Sequence, residues 1–212
     1  MPRPPFPRLY AILDIDLLYA RDLVPRDVVE AWLAAGVRLV QLRAKHLTFG
    51  PMLELADWMA ARCSTVGASF IVNDRADVAR LAGADGVHLG QEDLAVSEVR
   101  KILLPNQIVG LSAHSDVQIE AAIDQAADYL AMGPVFHTTT KVRPNPSVGL
   151  EGIARASSLA RNAGRLLVAI GGITLESAPG VIAAGADAVA VINDLLVGDW
   201  RVRAAAYLRA LG

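Results

Sequence analysis

The sequence predicts a (β/α)₈ barrel, with a doubly wound open sheet as the alternative. Short runs rich in Val, Ile and Leu alternate with longer segments of helical periodicity, which is the pattern of repeated β-α units. The apolar runs are continuous, as expected for parallel strands that are covered on both faces. The chain has 212 residues, which suits eight such units in a single domain spanning 1–212.

Eight strands and eight helices are predicted in alternation, after an irregular Pro-rich segment at 1–8. Clusters of apolar and β-branched residues predict strands at 9–14, 39–43, 70–73, 86–89, 108–112, 129–132, 166–170 and 188–192. Apolar residues at helical spacing predict helices at 25–35, 48–66, 77–82, 96–104, 116–126, 150–162, 175–184 and 200–211. The similar segments "AGADGVHLG" (82–90) and "AGADAVAVI" (184–192) indicate that one unit is reused.

Polar residues concentrate where the predicted strands end. In "VQLRAK", the side chains of Gln41, Arg43 and Lys45 alternate and would project to the same side. Further strand ends carry Asn73, Asp74, His88, Asp93, Ser112, His114, Thr138, Thr140 and Lys141. Because active sites of such barrels lie at the carboxyl ends of the strands, we expect these side chains to share one rim.

The charge at this rim suits a phosphorylated ligand. Arg43, Lys45 and Lys141 supply positive charge, and glycines at 133, 171 and 172 allow backbone N–H groups to approach an anion. The segment "AIGGIT" precedes the predicted helix at 175–184, and barrels often hold phosphate at that helix N-terminus. Two anionic groups are therefore expected.

Asp74 and Asp93 predict a magnesium site at the same rim. Two carboxylates would repel a diphosphate unless a hard cation lay between them, and Mg²⁺ is commonly held by one or two carboxylates plus phosphate oxygens. The alternative is an internal layer of salt bridges, in which the two acids neutralise Arg43, Lys45 or Arg75.

Several other kinds of chemistry find no support in the sequence. The four histidines, His46, His88, His114 and His137, lie in different segments without the close spacing of a zinc site. His114 follows Ser112 and could move a proton, but the "GxSxG" motif of acyl-transfer enzymes is missing from the sequence.

Six ordered motifs resemble those of the thiamine-phosphate synthase family: "VQLRAK", "VNDR", "GVHLGQED", "GLSAHS", "GPVFHTTTK" and "VAIGGIT". The resemblance covers about 9–195. It implies a barrel that joins 4-amino-2-methyl-5-hydroxymethylpyrimidine diphosphate to hydroxyethylthiazole phosphate, with Mg²⁺ as cofactor and release of pyrophosphate. It also implies a dissociative mechanism, in which the diphosphate leaves before the thiazole nitrogen attacks.

The resemblance also implies a role for each matching residue. The pyrimidine diphosphate would be held by Gln41, Arg43, Lys45, Asn73, Ser112 and Lys141, of which Lys141, Arg43, Lys45 and Ser112 would be catalytic. Asp74 and Asp93 would hold the metal. The thiazole phosphate would be held by Thr138, Thr140, Gly171, Ile192 and Asn193.

The chain departs from the family pattern at three positions. His137 stands where Pro is frequent and Ala44 where Glu is frequent, and neither belongs to the anion set. Asn193 stands where a small Ser is usual, so its contact with the thiazole phosphate differs from that of the family. The loop at 142–148 is open to two interpretations, a lid over the site or an irregular crossover into the next helix.

Two alternative functions remain. A thiazole tautomerase of the same family would have an eroded pyrimidine diphosphate site, whereas that set is intact here. A non-catalytic barrel that binds a thiamine precursor is the second alternative. One assay of pyrophosphate and thiamine phosphate formation separates them.

Composition limits the partners to small molecules. The formal net charge is -2, with Lys and Arg scattered along the chain, so no nucleic acid partner is expected. No apolar run reaches the ~20 residues of a membrane span, no signal peptide is evident, and Cys63 is the only cysteine. We therefore expect a cytoplasmic protein without a membrane partner, whose 53% hydrophobic content leaves room for a homo-oligomeric interface.

Overall fold

The chain forms a closed barrel of eight parallel strands, in a computed structural model that describes residues 6–138 and 145–212. Each strand pairs with the next along the chain, and β1 closes the barrel against β8 with Leu9 opposite Val189. The (β/α)₈ prediction is confirmed and the open-sheet alternative is wrong. The strands are β1 (Leu9–Asp14), β2 (Leu39–Arg43), β3 (Ser69–Asn73), β4 (Gly86–Leu89), β5 (Ile108–Ala113), β6 (Tyr129–Met132), β7 (Leu166–Ile170) and β8 (Ala188–Val191).

Helices follow the strands and cover the outside of the barrel. They are α1 (Ile15–Tyr19), α2 (Pro25–Ala35), α3 (Phe49–Thr65), α4 (Ala76–Leu81), α5 (Val96–Ile102), α6 (Asp116–Ile123), α7 (Gly149–Asn162), α8 (Ala178–Ala183) and α9 (Trp200–Leu211). None of the helices described is both long and apolar enough to cross a membrane.

Two short elements at the rim escaped the sequence prediction. Helix α1 follows β1 directly, and a 3₁₀ turn, Asn193–Leu196, follows β8. Helix α8 begins at Ala178 and not at the predicted 175, because Thr174 and Ser177 close a turn through each other's backbone N–H and hydroxyl groups, at 2.9 and 3.3 Å. The helix predicted to begin directly after "AIGGIT" thus begins three residues later than predicted, and the phosphate site at this position stays a prediction.

Apolar side chains form two cores, one on each face of the sheet. The outer core lies between sheet and helices and includes the buried Trp32 and Met59. The inner core fills the barrel and includes Tyr10, Ile71 and Tyr129. Because side chains alternate along each strand, the residues that point inward near the carboxyl ends become the floor of the rim.

Gly110 makes room for a large side chain inside the barrel. A Cβ atom at Gly110 would lie 2.1 Å from Cζ of Tyr129 and 2.4 Å from its hydroxyl oxygen. Real Cβ atoms do not approach other atoms so closely, and a buried ring has little space to move. The glycine on β5 therefore lets Tyr129 of β6 lie across the barrel.

Candidate active site

A cavity of about 270 Å³ opens at the carboxyl ends of the strands. Six of the predicted site residues that the structure describes line it: Arg43, Ser112, Thr138, Gly171, Ile192 and Asn193. They come from β2 and β5 and from the segments after β6, β7 and β8, and closure of the barrel brings them together. His114, His137 and Asn145 also line the cavity.

Arg43 is held at the rim by an acid that sequence reasoning missed. Its guanidinium pairs with the carboxylate of Asp14, the last residue of β1, which stands opposite Arg43 across the β1–β2 pair. The Asp14 side chain is 3% exposed and also caps α1 by accepting a hydrogen bond from Leu17 N at 3.1 Å. The rule that polar strand ends meet at one rim, applied to β1, would have identified it.

Lys45 and the two predicted metal ligands form a second cluster at the ends of β2, β3 and β4. The ammonium group of Lys45 pairs with the carboxylate of Asp74, which lies within hydrogen-bonding reach of Asp93. Burial raises the pKa of Asp74, and Asp93 raises it further, while Lys45 lowers it. The Lys45–Asp74 ion pair of the salt-bridge alternative is present, whereas Arg75 pairs with Asp77 outside the cluster, and the magnesium site stays a prediction.

A backbone hydrogen bond fixes each of Asp74 and Asp93 after β3 and β4. Asp74 has φ +64, an uncommon value for a non-glycine residue, and its N–H donates to His88 O at 2.8 Å. Asp93 accepts a hydrogen bond from Gly90 N at 2.7 Å. The described residues contain no group of three or more His, Cys, Asp or Glu side chains suited to a metal. Two carboxylates suffice for Mg²⁺ when a diphosphate and water supply the other oxygens.

Three predicted ligands of the pyrimidine diphosphate differ in where they lie relative to the cavity. Gln41 is 2% exposed and donates from Nε2 to the hydroxyl of Tyr10 at 2.7 Å. The hydroxyl of Ser112 lies 2.8 Å from Nε2 of His88. His88 is buried in the barrel interior and is 7% exposed. Asn73 ends β3 opposite His88 and does not line the cavity.

Asn193 faces the cavity with a cationic partner that the sequence did not reveal. The guanidinium of Arg21, after α1, donates to Oδ1 of Asn193 and to the carbonyl of Leu196 at 3.0 Å. An arginine has no acceptor atoms, so the amide oxygen must face Arg21 and the amide NH₂ group must point elsewhere. The amide of Asn193 can therefore donate to an anion where a serine hydroxyl is usual.

The Gly171–Gly172 turn forms the wall of the cavity after β7. Both residues have positive φ, +98 and +67, which favours glycine. A Cβ at Gly171 would lie 2.6 Å from Cα of Pro134, and one at Gly172 would lie 2.4 Å from the carbonyl oxygen of His137. Close packing thus explains the two glycines, and leaves their backbone beside the cavity.

His114 is restrained by its neighbours at the rim. Its Nδ1 lies 2.6 Å from the carbonyl oxygen of Gly133, so Nδ1 carries a proton. Its backbone N–H donates to the side chain of Gln118 at 2.7 Å. Lys141, Thr140 and part of the 142–148 loop lie outside the described residues; at the end of that loop, Val148 N donates to Pro134 O at 2.8 Å.

Comparisons with known proteins agree with the fold and show the family. The family model described as thiamine monophosphate synthase matches residues 9–195. The thiamine-phosphate synthase of Koribacter versatilis is 41% identical, with 97% of this chain and 96% of that protein covered. That of Chloroflexus aurantiacus is 39% identical, with coverage of 96% and 92%. The solved thiamine phosphate pyrophosphorylase of Pyrococcus furiosus is 31% identical with a TM-score of 0.84, over 96% of this chain and 95% of that one. The resemblance in the six motifs is confirmed, and the chain belongs to the thiamine monophosphate synthase family.

Proposed function

We propose that this protein is a thiamine-phosphate synthase, a transferase that joins pyrimidine diphosphate to thiazole phosphate and releases pyrophosphate. The observation that carries the proposal is the meeting, at one end of the barrel, of two separate groups of residues that are suited to binding anions. Arg43 and Lys45 lie on the β2 side, and Asn193 and the Gly171–Gly172 turn lie on the β7–β8 side. The family relationship supports the same activity.

The chain's own residues position the substrates and compensate charge. Arg43, Lys45 and Lys141 would bind the diphosphate and stabilise the negative charge that grows on it as the C–O bond to the pyrimidine methylene breaks. The bonding electrons leave with the diphosphate, and the thiazole nitrogen then forms the new C–N bond to the methylene carbon. No enzyme nucleophile is required, so positioning and electrostatics account for the catalysis.

Asp74 and Asp93 would hold Mg²⁺ beside the diphosphate. When bound, this ion would supply positive charge to the leaving group and would offset the repulsion between the two carboxylates and the phosphate. Lys45, paired with Asp74, lies at the border between the metal ligands and the predicted diphosphate site. Thr138, Thr140, Gly171, Ile192 and Asn193 remain the residues proposed for the thiazole phosphate.

One coupled assay tests the function. The full chain is incubated with both substrates, with Mg²⁺ or with excess EDTA, and pyrophosphate and thiamine phosphate are measured. We expect both products in equal amounts, and only with the metal. Aromatisation of a thiazole tautomer without coupling would identify a tautomerase, and binding without turnover would identify a precursor-binding protein. Equal rates with Mg²⁺ and with EDTA would contradict the metal proposal alone.

A further inference from the structure

A continuous chain of buried hydrogen bonds crosses the barrel beneath the cavity. Gln41 Nε2 donates to the Tyr10 hydroxyl at 2.7 Å, and the hydroxyls of Tyr10 and Tyr129 lie 3.0 Å apart. The Tyr129 hydroxyl lies 3.0 Å from Nδ1 of His88, and Nε2 of His88 lies 2.8 Å from Oγ of Ser112. Five side chains from five different strands are thereby linked.

The middle of this hydrogen-bond chain is buried, and its two phenols keep their protons. Tyr10 and Tyr129 are each 1% exposed, and His88 stacks on the Tyr129 ring with centroids 5.6 Å apart. Burial raises the pKa of Tyr10 and of Tyr129 well above the ordinary value of 10.0. Each hydroxyl therefore has one proton to donate and lone pairs with which to accept.

The donor at one end sets the direction of every bond that follows. The Gln41 amide N–H can only donate, so the Tyr10 oxygen accepts it, and among the hydrogen bonds described here the Tyr129 hydroxyl is the acceptor for the Tyr10 proton. Tyr129 then gives its proton to Nδ1 of His88. A neutral imidazole that accepts at Nδ1 carries its proton on Nε2, so His88 donates to the oxygen of Ser112.

Ser112 is the open end of this chain. Its oxygen accepts from His88, so its own hydroxyl proton is left to donate, and Ser112 lines the cavity. We propose that Tyr10, Tyr129 and His88 are positioning residues that fix Ser112 as a hydrogen-bond donor to an acceptor atom of the bound pyrimidine diphosphate. Preorganised donors of this kind favour charge that develops in a transition state. The identity of the acceptor rests on the proposed function, but the donor-to-acceptor direction of the hydrogen bonds does not.

The first test measures the proton on His88 without any substrate. Nitrogen-15 NMR of the full chain, labelled at its four histidines, distinguishes Nε2–H from Nδ1–H, and the variant His88→Gln assigns the His88 signals. We expect the Nε2–H form in the wild type and a mixture of both forms in Tyr129→Phe. The control substitution is Tyr19→Phe. Tyr19 is 55% exposed and takes no part in the row of buried hydrogen bonds, so this substitution should leave the His88 signals unchanged. An Nδ1–H form in the wild type would reverse every bond and overturn the proposal.

The second test asks whether Tyr129 acts through Ser112. In the wild-type background, we expect Tyr129→Phe to lower kcat/KM about tenfold, because the donor geometry of Ser112 is lost. In a Ser112→Ala background, the same substitution should change kcat/KM less than about twofold, because the acting group has already been removed. An equal loss in both backgrounds would show a general structural role and would refute the proposal.

The two tests separate this proposal from the proposed function. If the NMR result is as expected but no coupling occurs with either substrate pair, the function is wrong and the chain of hydrogen bonds stands. If coupling occurs but His88 carries its proton on Nδ1, the function stands and the positioning proposal fails.

Discussion

The ion pair between Asp14 and Arg43 offers a sharp test of how the rim is built. The substitution Asp14→Asn keeps an oxygen to cap Leu17 N but removes the charge that faces Arg43. Removing one partner of a buried pair costs about 3 to 5 kcal/mol, because the other charge stays buried without compensation. Arg43 is 18% exposed, so water can relieve part of that cost. We expect a loss of about 3 kcal/mol in the free energy of unfolding, near the lower end of this range.

Urea unfolding, followed by circular dichroism and by tryptophan fluorescence, measures the loss. With a slope of about 3 kcal/mol per molar urea, the midpoint of Asp14→Asn should fall by about 1 M. Asp14→Ala also loses the helix cap. Its urea midpoint should therefore fall further, by an amount equivalent to about 1 kcal/mol in the free energy of unfolding.

A matched control lies two residues away. Asp16 pairs with His46 at 2.9 Å, but His46 is 84% exposed, so Asp16→Asn should change stability by less than about 0.5 kcal/mol. A midpoint for Asp14→Asn as close to the wild type as that of Asp16→Asn would refute the reasoning.

Three further predictions concern the thiol, the second anion site and the leaving group. Burial raises the pKa of Cys63 from 9.0 to about 12. The contribution of the protonated thiol to the free energy of unfolding is therefore complete below pH 9 and is lost as the pH rises toward 12. The unfolding free energy of the wild type should therefore fall more steeply over that window than that of Cys63→Ala, and equal slopes would contradict this. Arg21→Ala should raise KM for thiazole phosphate several-fold, because Asn193 loses its anchor, while KM for the pyrimidine diphosphate stays unchanged; an equal rise in both would indicate a wider disturbance. Lys141→Ala should lower kcat for coupling by about 10² to 10³, with an unchanged circular dichroism spectrum, and a near-normal kcat would disprove its role.

The strands were predictable because their pattern is local. Val, Ile and Leu runs mark the strands, most of them bounded by glycine or acidic turns, and five of the predicted strands, such as Leu9–Asp14 and Tyr129–Met132, have the same bounds in the structure. Helix ends were harder to predict, because capping depends on turns such as Thr174–Ser177 that compete with helix formation.

The polar rim was predictable in part, but the partners of its side chains were not. Strand-end polarity and the family motifs identify Arg43 and Ser112, which line one cavity, and Lys45, which pairs with Asp74. Their partners depend on which strands are neighbours in space. Asp14 meets Arg43 only because β1 pairs with β2, and Tyr129 reaches His88 across the barrel. Contacts between segments that are far apart in the sequence cannot be recognised from the local pattern of a single sequence.

The pairing of Arg43 with Asp14 also bears on how the site empties. A diphosphate held by Arg43, as proposed, would share the guanidinium with a carboxylate that already pairs with it from the neighbouring strand and is 3% exposed. Under the proposed role, this sharing would weaken the binding of the substrate and of the departing pyrophosphate alike. The Asp14 carboxylate would then favour turnover over retention of the product, because it is in place to neutralise the guanidinium when pyrophosphate leaves.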